Sequence, residues 1–179
     1  PVEKVAAFLG GDRDVSVVAP GTGKSWDVQV VTPPLNDPWP HVEKKILDSI
    51  LKARSTLVFA NSRRAAEKLT ARLNELWLEA GGDEALARAH HGSVSKHLRA
   101  EIEEALKAGR LRAVVATSSL ELGIDMGAVD QVIQISAPLS TSSALQRFGR
   151  AGHQVGATSR GCLHTLHRGE LAAAVVTVS

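Results

Sequence analysis

Short apolar runs separated by stretches with helical periodicity constrain this 179-residue chain more than any other feature. Thr56-Leu57-Val58-Phe59-Ala60, Arg112-Ala113-Val114-Val115-Ala116-Thr117 and Gln131-Val132-Ile133-Gln134-Ile135-Ser136 are too short for helices, and they have no clean polar alternation. A strand with no water-facing side must be covered on both faces. That condition is met in a parallel sheet whose crossover helices lie above and below it.

The intervening segments supply those helices. Asp37 or Pro38 opens one, with Pro early in the first turn where its missing N–H costs little. Val42, Ile46, Ile50 and Ala53 form its apolar stripe. Ser62 can cap a second, carrying Ala66, Leu69, Leu73 and Leu76, which Gly81-Gly82 stops. Ser93 or Ser95 starts a third, with Leu98, Ile102 and Ala105, ending near Gly109. Further strands are expected at Trp26 to Val31, Ala85 to His90 and near Gly161 to Leu166. Residues 1–25 form a weakly patterned leader or linker, with one short helix through Val2, Val5, Ala6 and Leu9. The expectation is one α/β domain over residues 26–179. Pro1 replaces a start Met, and Leu171 to Val176 stops in mid-pattern, so both ends read as cut from a longer chain.

Aromatic residues make up 3% of the chain, which argues against a surface built on rows of base-stacking rings. A net charge of +2 is compatible with a nucleic-acid partner without pointing to one. The single Cys162 excludes an internal disulfide and suits a reducing compartment. No apolar run is long enough to span a membrane. A cytoplasmic protein is expected.

Pro20-Gly21-Thr22-Gly23-Lys24-Ser25 ends like a phosphate-binding loop. However, Val18 stands where the pattern needs its first Gly, and a strand follows where a helix is required. A polar turn explains it better. Cys162, His164 and His167 cluster, but strand alternation sets His167 on the opposite face, and a structural zinc site needs about four convergent ligands. No metal site is expected. Gly-x-Ser-x-Gly is absent, which leaves a hydrolytic triad without support.

Ser142 to His153 offers more. Read as a helix, it places Gln146, Arg150 and His153 on one face, with Leu145, Phe148 and Gly152 turned elsewhere. Gly149 and Gly152 each weaken a helix by about 1 kcal/mol, a cost that fits close backbone approach. A planar arginine on such a face suits phosphate, and Arg147 and Arg150 are both candidates. Loops at the carboxyl ends of parallel strands form the usual ligand site. Here they hold Asn61-Ser62-Arg63-Arg64, His90-His91-Gly92-Ser93, Thr117-Ser118-Ser119 and Ser136 to Ser142, small and polar, the first of them basic, a composition suited to phosphates.

In order along the chain, Leu57 to Arg63, His90 to Ser95, Ala116 to Asp125 and Gln146 to His153 resemble motifs IV, IVa, V and VI of the second RecA-like motor domain of superfamily 2 helicases. Ser118 to Gly127 and Gly149-Arg150-Ala151-Gly152-His153 resemble the Lhr (large helicase-related) family in particular. The resemblance spans about residues 26–170. It implies a RecA-like sheet sandwiched by helices, in a protein that hydrolyses ATP with Mg²⁺. The nucleotide would be bound jointly with a first motor domain absent from this chain. Arg150 would be the arginine finger on the γ-phosphate, with Gln146 beside it as the second catalytic residue. Gly123, Asp125, Arg150 and His153 would approach the nucleotide, although His153 stands where the wider superfamily has Arg. Asn61, Ser62, Arg63, Gly92, Ser93 and Thr117 would hold the backbone of single-stranded nucleic acid, DNA by preference. Arg147 would serve as a structural ion pair or a link to motif V, and His90 would be buried at its strand end. The family tilts the substrate toward DNA and DNA:RNA duplexes in repair, and it implies a protein associated with a bacterial nucleoid. An RNA-remodelling helicase domain remains open, as do a phosphate-loop kinase or GTPase-like domain and a degenerate interaction platform.

Overall fold

The computed structural model describes residues 2–18, 25–34, 36–121, 129–152 and 158–178. Among these residues are six strands, β1 (Ser25–Val31), β2 (Thr56–Phe59), β3 (Ala87–His90), β4 (Ala113–Ala116), β5 (Gln131–Ile135) and β6 (Thr158–His164). The described residues form six α-helices, α1 (Val2–Gly10), α2 (Pro38–Lys52), α3 (Arg63–Glu79), α4 (Lys96–Lys107), α5 (Thr141–Phe148) and α6 (Gly169–Val178), with a 3-10 turn at Ser118–Leu120. The strands lie in the order β1-β6-β5-β2-β4-β3. Every pairing is parallel.

The pleat of β2 divides the core. Leu57 and Phe59 face Ile102 and Leu106 of α4, Ala144 and Phe148 of α5, and Ala174 of α6. Val58 and Ala60 face Val42, Ile46 and Ile50 of α2 and Ala66, Leu69 and Leu73 of α3. Each such buried Leu, Ile or Phe is worth about 1.5–3 kcal/mol over exposure, so the two layers hold the sheet from both sides. The chain leaves β2 for β3 and β4 on one flank and later crosses to β5 and β6 on the other. This reversal opens a crevice at the carboxyl ends of β4, β2 and β5.

Serine hydroxyls start three of the helices. Ser62 accepts from the Ala65 N–H at 3.1 Å, Ser95 from Leu98 at 3.3 Å and Ser140 from Ser143 at 3.1 Å. Each satisfies an amide that the first turn leaves without a partner. Pro38 stands first in α2, preceded by Asp37 in the left-handed region.

Several boundaries depart from expectation. Ala53 caps α2 in extended backbone instead of joining its stripe. Leu98 is 38% exposed, so α4 rests on Ile102 and Leu106. β6 begins at Thr158, earlier than its apolar content implies, because Ser25 to Val31 pairs with it residue for residue from Thr158 onward. β-ladder hydrogen bonds do not read side chains, and Thr158-Ser159-Arg160 carries no strand pattern. α1 forms at the expected place but buries none of its residues.

The largest difference concerns residues 142–153. The helix ends at Phe148 rather than running to His153. Gly149 keeps an i→i−4 bond to Leu145, but Arg150 and Ala151 tighten to i→i−3 bonds, at 3.1 Å to Arg147 and Phe148. Ala151 then bridges Val129, and Gly152 turns through φ +63°. Of the residues turned away from the Gln146 face, Phe148 is buried, with Ala144 and Arg147 beside it, but Leu145 is 54% exposed. Gly123, Asp125, His153 and the segment 19–24 containing Gly23 and Lys24 lie outside the described residues.

Candidate functional site

Three strand ends meet one helix in the crevice. Asn61 follows β2, Thr117 follows β4 and Ser136 follows β5, while α5 carries Arg147 beneath them and Arg150 beyond its end. Arg147 is 2% exposed. Its guanidinium lies over the Phe59 ring, 5.3 Å from the centroid. Nε donates to Glu121 Oε1 at 2.7 Å and a terminal nitrogen lies 2.5 Å from the same oxygen. The other terminal nitrogen donates to Asn61 Oδ1 at 3.0 Å and Gln134 Oε1 at 2.8 Å. A buried guanidinium is tolerable only when its donors are matched in this way.

Burial was not apparent for Arg147 from sequence, although the link to Glu121 in the fourth-strand loop is one of the two roles expected for it. Gln134 is not among the site residues that the sequence motifs single out. Its signal was its position: an amide in Val132-Ile133-Gln134-Ile135, a strand covered on both faces, must be buried and therefore bonded.

Arg150 is half-buried and donates to the Glu121 carbonyl at 2.7 Å. Glu121 is thus held at both ends, its carboxylate by Arg147 and its backbone oxygen by Arg150. Gln146 sits one residue before Arg147 on α5, half-buried. Gln146 lies on α5 and Arg150 beyond its end, so the continuous helical face expected of them does not extend past Phe148.

Asn61, Ser62, Arg63, Gly92 and Ser93 are exposed, and Thr117 is half-buried. The structure joins two of them directly: Arg63 donates to the Ser93 hydroxyl. Ser62 caps α3, which leaves its hydroxyl hydrogen available. A Cβ added to Gly92 would meet nothing within 4 Å, so its backbone is open to approach. Asn61 is placed at this edge, but its amide bonds inward, to Arg147 and to the Ala137 carbonyl at 2.9 Å.

The two histidines ahead of Gly92 part in opposite directions, as extended backbone requires. His90, 1% exposed, reaches Glu103 Oε1 at 2.9 Å and Ser119 Oγ at 2.8 Å. Burial holds its pKa below the usual histidine value, against the pull of Glu103. His91 accepts from the Ser93 N–H through Nδ1, so its Nε2–H donates to Glu67, 2.5 Å away. Both tie the third-strand loop to flanking helices.

Away from the crevice, Cys162 Sγ and His164 Nε2 lie 3.4 Å apart. Burial pushes the Cys162 thiol up to about 11, which disfavours the thiolate a metal or an electrophile would need. Among the described residues no group of three or more His, Cys, Asp or Glu could hold a metal ion. No helix among them is long and apolar enough to cross a membrane.

Residues 42–154 match the family model of the helicase conserved C-terminal domain. The chain belongs to that helicase family. Within it the likeness is to Lhr. The Lhr helicase/probable uracil glycosylase of Mycolicibacterium smegmatis is 50% identical over 213 aligned residues. That alignment takes in 99% of this helicase domain and 14% of the relative, so the chain spans about one seventh of that protein. A solved structure of Mycobacterium smegmatis helicase Lhr bound to ssDNA and AMP-PNP superposes with a TM-score of 0.88 at 55% identity. It covers 99% of this chain and 24% of that one. The DUF1998 helicase MrfA bound to DNA gives a TM-score of 0.71 at 28% identity, covering 90% of this chain and 22% of that one. The expected RecA-like α/β fold and the Lhr assignment are both borne out.

Proposed function

We propose that this helicase domain is the second motor domain of an ATP-driven translocase that tracks along and separates strands of nucleic acid. The observation that carries the reading is the meeting of Arg150, the Glu121 turn and the loops after β2, β3 and β4 along one edge of the sheet. One end of that edge offers a guanidinium suited to phosphate, and the rest offers small polar residues and open backbone. The neighbour at 55% identity is bound to ssDNA and AMP-PNP, which supports placing both ligands on this edge.

In this reading Arg150 is the arginine finger. It leaves the Glu121 carbonyl for the γ-phosphate when a first motor domain closes over ATP, and there it offsets charge that develops during phosphoryl transfer. Gln146, Gly123, Asp125 and His153 serve the nucleotide with it, in the roles the resemblance implies. The first domain supplies the phosphate-binding loop and holds Mg²⁺. Ser62, Arg63, Gly92, Ser93 and Thr117 grip backbone phosphates of single-stranded DNA, with Asn61 fixing the loop beside them. Phosphate contacts of this kind position a strand without reading its sequence.

The test is Arg150→Ala in the intact protein. Loss of a finger lowers the turnover of ATP by about 10³-fold or more, with ssDNA affinity within twofold of wild type. ATPase near the wild-type rate would remove Arg150 from that role.

A further inference from the structure

The Arg147 cluster does more than hold α5 down. A guanidinium has five N–H donors and no acceptor. Any amide that meets it must therefore present its oxygen. Asn61 and Gln134 both do so, and this fixes which way their amide nitrogens point. Both nitrogens are aimed at the loop between β5 and α5. Gln134 Nε2 donates to the Ile135 carbonyl at 2.8 Å and the Ser136 carbonyl at 2.9 Å. Asn61 Nδ2 donates to the next carbonyl, Ala137, at 2.9 Å. Three successive carbonyls, the last of β5 and the first two of the loop after it, are thus bonded by two amides oriented by one arginine.

The loop needs the support. Ser136 has φ +60°, the left-handed region that non-glycine residues rarely enter and that persists only where surrounding contacts over-determine it. The same guanidinium grips the Glu121 carboxylate, and the backbone of Glu121 holds Arg150. One buried side chain therefore joins the turn beside the arginine finger to the two strand-end loops after β2 and β5.

Resting on the motor-domain reading above, we infer that Arg147, working through Glu121, Asn61 and Gln134, is a positioning residue that couples strand binding to ATP turnover. Engagement of nucleic acid on the loop after β2 moves Asn61 and, through its bond to the Ala137 carbonyl, the loop that Gln134 braces. Their oxygens are bound to Arg147, so the shift passes to Glu121 and sets when its carbonyl releases Arg150. Lysine cannot replace Arg147 in this: its single ammonium cannot span a carboxylate and two amides lying in different directions.

The test uses the intact protein and two variants, with ATPase measured with and without saturating oligo-dT. Gln134→Met keeps the length of the side chain and removes the amide that braces Ser136, while Arg147 still bonds Glu121 and Asn61. Its basal ATPase is expected within twofold of wild type, with the ssDNA-stimulated to basal ratio reduced at least fivefold. Arg147→Lys is expected to reduce the ratio at least as much, through turnover rather than through KM for ATP. A ratio within twofold of wild type in whichever of the two variants folds overturns the inference. So does an equal fall in basal and stimulated rates, the signature of a purely structural support. A wild-type protein with no ssDNA-stimulated ATPase refutes the motor-domain reading instead, which separates the two failures.

Discussion

Arg147 and Glu121 form an ion pair in which side-chain exposure is 3% and 12%. Two guanidinium nitrogens converge on one carboxylate oxygen, at 2.5 and 2.7 Å. The pair stands between the helix that presents Arg150 and the turn after β4. Its contribution to stability is asymmetric. Replacing both partners with apolar groups can be nearly neutral, but removing one leaves the other charged in a poorly solvated site. Arg147→Ala is expected to cost about 3–5 kcal/mol, measured as a fall in the urea midpoint with unchanged slope. A loss under about 1 kcal/mol, the range of exposed pairs, would show that water reaches the cluster.

Gly152 turns the chain out of α5 at φ +63°, and a Cβ there would lie 2.7 Å from the Thr158 carbonyl oxygen. Gly152→Ala meets both a left-handed backbone, costing about 1–2 kcal/mol, and a contact with backbone that cannot rotate away. A destabilisation larger than the backbone cost alone is expected in equilibrium denaturation. Gly92, with open space around it, tolerates Ala at well under half that loss.

The pH dependence follows from His164. It is 2% exposed, and its Nδ1 has no hydrogen-bond partner among the described residues. Burial, with the charges of Lys45 and His41, pushes its pKa down to about 4. An unfolded chain takes up that proton near pH 6.5, about the unperturbed value. The native state refuses it until about pH 4. Stability is therefore fully present above pH 6.5 and is lost as pH falls through that window, at about 1.4 kcal/mol per pH unit for one group. Thermal melts from pH 7.5 to 4.5 should fall steadily, and His164→Gln should flatten the profile. Some slope remains in that variant because His90 is also held below its usual value. A wild-type profile flat across the window would contradict the burial.

This 179-residue chain, assayed alone, is expected to show no measurable ATPase, with or without ssDNA. Lys24→Ala should leave that result unchanged. Turnover by the chain alone that disappears in Lys24→Ala would revive the phosphate-loop reading of Gly23-Lys24-Ser25.

The sequence by itself determined the layers of this protein. Apolar runs such as Leu57-Val58-Phe59-Ala60 have no face to leave in water, so a doubly covered parallel sheet follows from local pattern alone. The caps at Ser62 and Ser95 and the helical stripe of Val42, Ile46 and Ile50 are equally local. The ordered motifs from Leu57 to His153 also carried the family. Tertiary structure decided the rest, because it depends on contacts between residues far apart in the chain. Residues 158–160 are a strand because β1 pairs with them, not because of their side chains. The helix at Gln146 stops at Phe148 because Ala151 is drawn to Val129. Arg147 lies 26 residues from Glu121 and 86 from Asn61, and no periodicity joins positions at such separations. Only folding brings one guanidinium to the ends of three strands, where the cost of burying its charge forces those partners together.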